Sequence, residues 1–293
     1  MTAHQDYPQI QVILNADDFG CSPDINAAVI QAHRQGVLTS ASLMVAGEAA
    51  SEAVALARAA PRLAIGLHLV LVAGRAVLPH REIPHLVDER GCFTNNPLEA
   101  GLLYFFNRAA RLELAREMAA QFERFISFGL PLSHVDGHQH LHIHPAVFGQ
   151  LLSLAEQYGA CGVRLPRDDL WLALRHNRRQ AGTKIAWAVS FALLCRWGER
   201  RLRRHHLVAA RRVYGVLQTG QMDVGYVVKV LRGLKVPSAE LYFHPSLAPQ
   251  AEALGPNPGD LATLLNPAVR QVIAERNLRL ATYPTLAKVH QNA

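Results

Sequence analysis

Short apolar runs alternate with amphipathic stretches along most of the chain, and the order of these patterns predicts its elements. After Gln11, Val12-Ile13-Leu14 is continuously apolar, as a strand of a parallel sheet covered on both faces should be. It runs into Asn15-Ala16-Asp17-Asp18-Phe19-Gly20, which places two carboxylates at its C-terminal end. Ser22-Pro23-Asp24 reads as a helix start, with a capping hydroxyl, proline at the first helical position and an acid in the first turn; Gly36 ends that helix. A strand over 39–45 and a helix over 48–60 make a second unit. Residues 64–71 form a third strand, interrupted by His68. Residues 73–105, with Pro79, Pro84, Gly91 and Pro97, read as a long loop suited to a lid or substrate wall. Further along, helices are expected over 111–128, 145–158, 221–234 and 267–276. Strands are expected from His134, over 162–166 (containing Arg164), over 239–243 and over 278–283, the last closing the sheet. This alternation predicts an α/β fold, a TIM-barrel-like (β/α) barrel that is distorted or seven-stranded. It occupies 1–293 as one domain, and the rhythm breaks only at a basic and apolar helical insertion, 167–215.

His134-Val-Asp-Gly-His-Gln-His-Leu-His-Ile-His-Pro145 is the densest concentration of chemistry. Alternate residues of a strand share a face, so His134, Asp136 and His138 can point into one pocket. Imidazole is the commonest protein metal ligand, and a nearby carboxylate typically orients it. One cation cannot use five histidines; the others must pack, cap or bind substrate. Taken alone, His68 reads as a core histidine. Beside the Asp-Asp strand end it joins Asp18 and His138 in a set of three ligands from three strand ends, the pattern of a catalytic site with an open position. Mixed nitrogen and oxygen donors favour Zn2+ over Mg2+. Asp17 is placed to take a proton from a water, provided an irregular backbone turns both aspartates inward; a capping aspartate is the alternative. Adjacent residues seldom span the ~5 Å that paired carboxylates of a glycosidase require.

Composition narrows the class. The net charge of +7 is local, because residues 167–212 hold twelve Lys/Arg against three Asp/Glu. The half bearing the candidate site is therefore not basic, which argues against nucleic acid as partner. Four dispersed cysteines without a Cys-x-x-Cys pair, and an N-terminus lacking the signal-peptide pattern, point to the cytoplasm. Within the insertion, 185–195 is almost wholly apolar and is followed by Arg196, Arg200, Arg201, Arg203 and Arg204. That suits an interfacial helix lying on the inner face of the cell membrane, or else a core or homodimer-interface helix with a solvated end.

Asn15-Ala-Asp-Asp-Phe-Gly20, Gly66-Leu-His-Leu69, His134-Val-Asp-Gly-His-Gln-His140, Arg164 and His244-Pro245 together resemble the YdjC/ChbG-like carbohydrate deacetylases. The resemblance implies a barrel-like fold, one divalent metal (Mg2+ as well as Zn2+) and hydrolysis of an N-acetyl group from an N-acetylglucosamine-type sugar. It also implies Asp18, His68 and His138 as metal ligands, Asp17 as base, His244 as acid, and Arg164, Asp136 and His134 as substrate-binding or orienting groups. Residues 42–47 and 66–79 look most like the members associated with hopanoid biosynthesis, implying a lipid-linked sugar. Soluble chito-oligosaccharides are the alternative substrate, and a membrane-associated metal- or lipid-binding protein without turnover is the non-enzymatic one.

Overall fold

The computed structural model describes residues 9–249 and 255–291; residues 1–8, where the signal-peptide pattern was sought, lie outside them. The strands are β1 (Gln11–Phe19), β2 (Ser40–Leu43), β3 (Ala64–Leu69), β4 (His134–Gly137), β5 (Gly162–Val163), β6 (Arg212–Tyr214), β7 (Ser238–Phe243) and β8 (Arg279–Leu280). All pairings between them are parallel, in the order β5-β4-β3-β2-β1-β7-β6. Every residue of β1 is buried, as its unbroken apolar start required, and β1 lies near the middle of the sheet. Around the sheet run α1 (Pro23–Gln35), α2 (Ala50–Arg58), α3 (Pro97–Phe106), α4 (Arg108–Ser127), α5 (Pro145–Gln157), α6 (Leu170–His176), α7 (Ala181–Leu202), α8 (Val224–Gly233), α9 (Pro258–Leu265), α10 (Pro267–Glu275) and α11 (Tyr283–Gln291).

The sheet is strongly curled. Val208 bridges to Gly162 of β5, and a few residues on Val213 N–H donates to the Arg167 carbonyl, 3.0 Å, while β6 pairs with β7. One stretch thus draws the two edges together. Strand 278–283 was expected to close the sheet; it does not. β8 is only two residues long and pairs at the start of β1, and Tyr283 already opens α11. The Tyr283 ring stacks on His134 of β4 at 4.7 Å and its hydroxyl donates to Glu240 of β7, 2.6 Å. A single side chain can meet β4 and β7 together only because the sheet curls around it.

Several elements lie where none was expected, β6, α3, α9 and α11 among them. β6 falls inside 167–215, so that segment supplies a strand of the sheet as well as α6 and α7. α3 falls inside the stretch 73–105. Asn96 caps it by accepting the N–H groups of Leu98 and Glu99, and Pro97 starts it. Its apolar residues Leu98, Leu102, Phe105 and Phe106 are exposed, so no core-facing stripe announced it. No helix of the described residues is long and apolar enough to cross a membrane.

Candidate active site

The site begins with a bulge. β1 and β2 keep register through Ala16 and Ala41, then resume at Phe19 and Leu43, so β1 carries one extra residue. Asp18 sits there with φ 62°, a left-handed conformation that ordinary strand residues avoid. This turns the two consecutive aspartates to the same pocket, as the irregular backbone expected from the sequence required.

Asp18 Oδ1 lies 3.2 Å from His138 Nδ1 and 3.4 Å from His68 Nε2. The donor atoms of these three residues fall within 4.8 Å of one another. The other nitrogen of His68 faces Asp136, Nδ1 to Oδ1 2.8 Å, which fixes ring and tautomer so that Nε2 is turned to Asp18. Asp17, His68 and Asp136 also cluster. In that set, however, both carboxylates are bonded to Arg164 at 2.7 Å, and a cation there would confront a guanidinium. Asp18 has no arginine partner among the described residues, and with His138 it reaches the open pocket. The Asp18-His68-His138 group is therefore the better cation cradle.

Arg164, fully buried, joins the strands. Its two terminal nitrogens donate to both oxygens of Asp17, each at 2.7 Å, and its Nε donates to Glu240 Oε1, 2.9 Å. Asn15 adds a bond to Asp17 Oδ1, 2.8 Å. Both Asp17 oxygens are thus engaged, and the residue lines the pocket.

The remaining histidines of the run part company because the strand ends at Gly137. Gln139 and His140 both have positive φ, and a short 3-10 stretch, His138–Ile143, follows. His134 does not reach the pocket; it lies beneath Asp136, stacked on Tyr283, with Nε2 3.1 Å from Ser42 Oγ, which itself donates to Asp136, 2.7 Å. His140 Nε2 meets the Tyr242 hydroxyl, 2.9 Å, and His142 donates to the Arg164 carbonyl, 3.0 Å. His144 caps α5. His244 lines the pocket at the end of β7, and its Nδ1 has no hydrogen-bond partner among the described residues.

Charge in this buried space is unbalanced. Asp17, Asp18, Asp136 and Glu240 face one guanidinium. Burial would lower His68, but the Asp136 charge and the bonds to Asp136 and Asp18 outweigh it and push it up to about 10. Burial would raise Asp18, yet His138 and His68 hold it well below the usual carboxylate range. Burial pushes His134 down to about 4, so it is neutral. A site that grips a histidine proton so tightly lacks positive charge, and a divalent cation would supply it while displacing that proton. The donor set thus fits a cation.

The pocket above these residues has a volume of about 440 Å3, with Trp187, Phe191 and Tyr242 among its walls. A second lobe of about 410 Å3, reaching Arg75 and Glu48, meets it at Asp18 and His138. Sequence reasoning missed Tyr242, Trp187, Phe191, Ser42 and Glu240. Only Glu240, a carboxylate inside an apolar strand, carried a visible signal.

A family model described as YdjC-like protein matches residues 11–275. The chain belongs to the YdjC-like family. A member from Brevibacillus brevis, named carbohydrate deacetylase, is 32% identical over 283 residues, covering 94% of this chain and 100% of that protein. A chitooligosaccharide deacetylase from Escherichia fergusonii is 40% identical over 163 residues, which is 55% of this chain and 61% of that protein. Among solved structures, an Enterococcus faecalis V583 protein described as a candidate cellobiose-phosphate cleavage protein superposes with a TM-score of 0.75. It is 24% identical and covers 95% of this chain and 99% of that one. That likeness supports the curled parallel (β/α) fold of the family.

Proposed function

We propose that this carbohydrate deacetylase is a metal-dependent hydrolase that removes the N-acetyl group from N-acetylglucosamine-type units of soluble chito-oligosaccharides. The observation that carries the reading is the Asp18-His68-His138 cradle opening into a pocket with Asp17 at its edge. A divalent cation held there would polarise the amide carbonyl and lower the pKa of the attacking water. Zn2+ is favoured by the nitrogen-rich donors, with Mg2+ the alternative.

In this reading Asp17 takes the proton of the attacking water. The two Arg164 N–H groups and Asn15 fix its carboxylate in place. His244, which lines the pocket, donates a proton to the departing amine. Asp136 orients His68, and His134 acts only through Ser42 on Asp136, with no contact to substrate. The two lobes meeting at Asp18 and His138 favour a substrate longer than one sugar, since one unit can occupy each. Chitooligosaccharide deacetylases among the relatives point the same way. Acetate release from N,N′-diacetylchitobiose, abolished by a chelator and by Asp17→Asn, tests the reading.

A lipid-linked sugar such as an acetylglucosaminyl hopanoid is a second reading, favoured by one observation. Pro97 of α3 and Trp187 of α7 both line the catalytic pocket, and those two helices expose Leu98, Leu102, Phe105 and Phe106, and Ile185, Val189 and Leu193, respectively. Exposed apolar residues on the two helices beside the pocket suit a lipid tail or a peripheral membrane contact, and would serve a homodimer equally.

A further inference from the structure

On the face of α7 turned away from the catalytic pocket lies a separate cleft of about 530 Å3. Its floor is Pro166–Asp168 and the start of the turn after β6; Phe191 and Val216 form the wall it shares with the catalytic pocket. Five arginines line it against two acids. Arg196, Arg200 and Arg203 come from α7 and its C-cap at spacings of four and three, so they share one helix face. Arg167 and Arg212 come from the opposite wall.

The acids are already engaged. Glu199 pairs with Arg167 at 2.8 Å, and the Asp168 carboxylate accepts the backbone N–H groups of Gly215, 3.2 Å, and Leu217, 2.9 Å. Arg196, Arg200 and Arg203 have no acidic partner within 4.0 Å among the described residues. Arginines near a helix C-terminus complement its dipole, which accounts for one or two of them on a convex surface. It does not account for their converging with Arg212 on a concave space. Several unpaired guanidinium forks around one cleft match the tetrahedral, multiply charged oxygens of phosphate better than a single carboxylate.

We propose that this cleft is a phosphate-binding site, distinct from the deacetylase pocket and taking a phosphate- or pyrophosphate-bearing anion. The shared chemistry admits two sources, a soluble phosphate ester or an anionic lipid headgroup. Neither depends on the reaction assigned to the neighbouring pocket.

Calorimetric titration of the full chain with inorganic pyrophosphate at low ionic strength tests it, beside the exposed-surface variant Arg196→Gln, Arg200→Gln. Saturable binding is expected in the wild type, weakened about tenfold or more in the variant, because charge-assisted contacts are among the stronger hydrogen bonds. Acetate release from an uncharged acetylated disaccharide should be the same in both. Arg203→Gln alone, further along the same face, should give a smaller loss. Absence of binding, or equal affinity in wild type and double variant, overturns the proposal, the latter by placing the anion elsewhere. Flotation with phosphatidylglycerol vesicles separates the sources. Vesicle binding displaced by pyrophosphate identifies a lipid headgroup; no vesicle binding identifies a soluble ester.

Discussion

At the scale of residues, the account rests on how four carboxylates and one arginine share a buried space. Asp17→Asn preserves the shape and the Asp18-His68-His138 cradle, so metal content should stay while turnover falls about 10²- to 10⁴-fold. Elemental analysis beside acetate release checks both halves. Arg164→Met leaves Asp17, Asp136 and Glu240 buried without a counter-charge and should cost about 3–5 kcal/mol of stability, read by denaturant unfolding. The proton on His68 sets a pH dependence. Its folded value, about 10, exceeds the ordinary 6.5, so in the metal-free protein its contribution is fully present below 6.5 and is lost as pH rises towards 10. Asp18 and Asp136 are depressed, so theirs is present above about 4 and lost on acidification. Metal-free protein should therefore lose thermal stability between pH 6.5 and 10, whereas the cation-bound form, with His68 already neutral, should not. Since binding displaces one proton, apparent metal affinity should rise about tenfold per pH unit between pH 6.5 and 8.5, measured by chelator competition.

Single elements show why glycine and irregular backbone are built into the site. Gly66 of β3 faces the His134 ring so closely that a Cβ there would overlap it. Gly66→Ala should push that ring off Ser42 and cost about 1–3 kcal/mol by overpacking, with a matching loss of turnover through Asp136. Chemical denaturation and acetate release report the two effects. The same scale separates what was legible in the chain from what was not. Asp17, Asp18, His68, His138, Arg164 and His244 stood out because charged and imidazole groups at the ends of apolar runs have few structural explanations. Their convergence in space is what those strand ends implied. His134, Asp136 and His138 read as one face of an alternating strand, but the strand stops at Gly137 and two left-handed residues send each later histidine to a different partner. Periodicity carries no warning of that. β6 was invisible because three residues cannot display a period, and α3 because most of its apolar positions, Leu98, Leu102, Phe105 and Phe106, face outward. Trp187 and Phe191 read as part of an interfacial or core helix and Tyr242 as part of a buried strand, since aromatics in apolar stretches usually pack rather than bind.

For the whole molecule, curling brings β1, β3, β4, β5 and β7 to one cavity, and the proposed catalytic set can assemble only there, from strands far apart in sequence. The helix α7 then lies between two clefts, one bearing the sugar chemistry and one bearing arginines. Its exposed apolar residues and those of α3 lie on the two helices whose Trp187 and Pro97 line the first. If the substrate is a soluble chito-oligosaccharide, replacing Ile185, Val189 and Leu193 with serine should leave kcat/KM on diacetylchitobiose within about twofold, as ordinary surface changes do. A selective loss on an acetylated glycolipid would instead favour the lipid-linked substrate. The most direct test of the central claim is acetate release from N,N′-diacetylchitobiose by metal-stripped protein, before and after adding one equivalent of Zn2+, for wild type and Asp18→Ala. Acetate should appear only in the wild type and only after zinc is restored. Equal release by the stripped wild type, or by Asp18→Ala, would contradict a cation cradled by Asp18, His68 and His138.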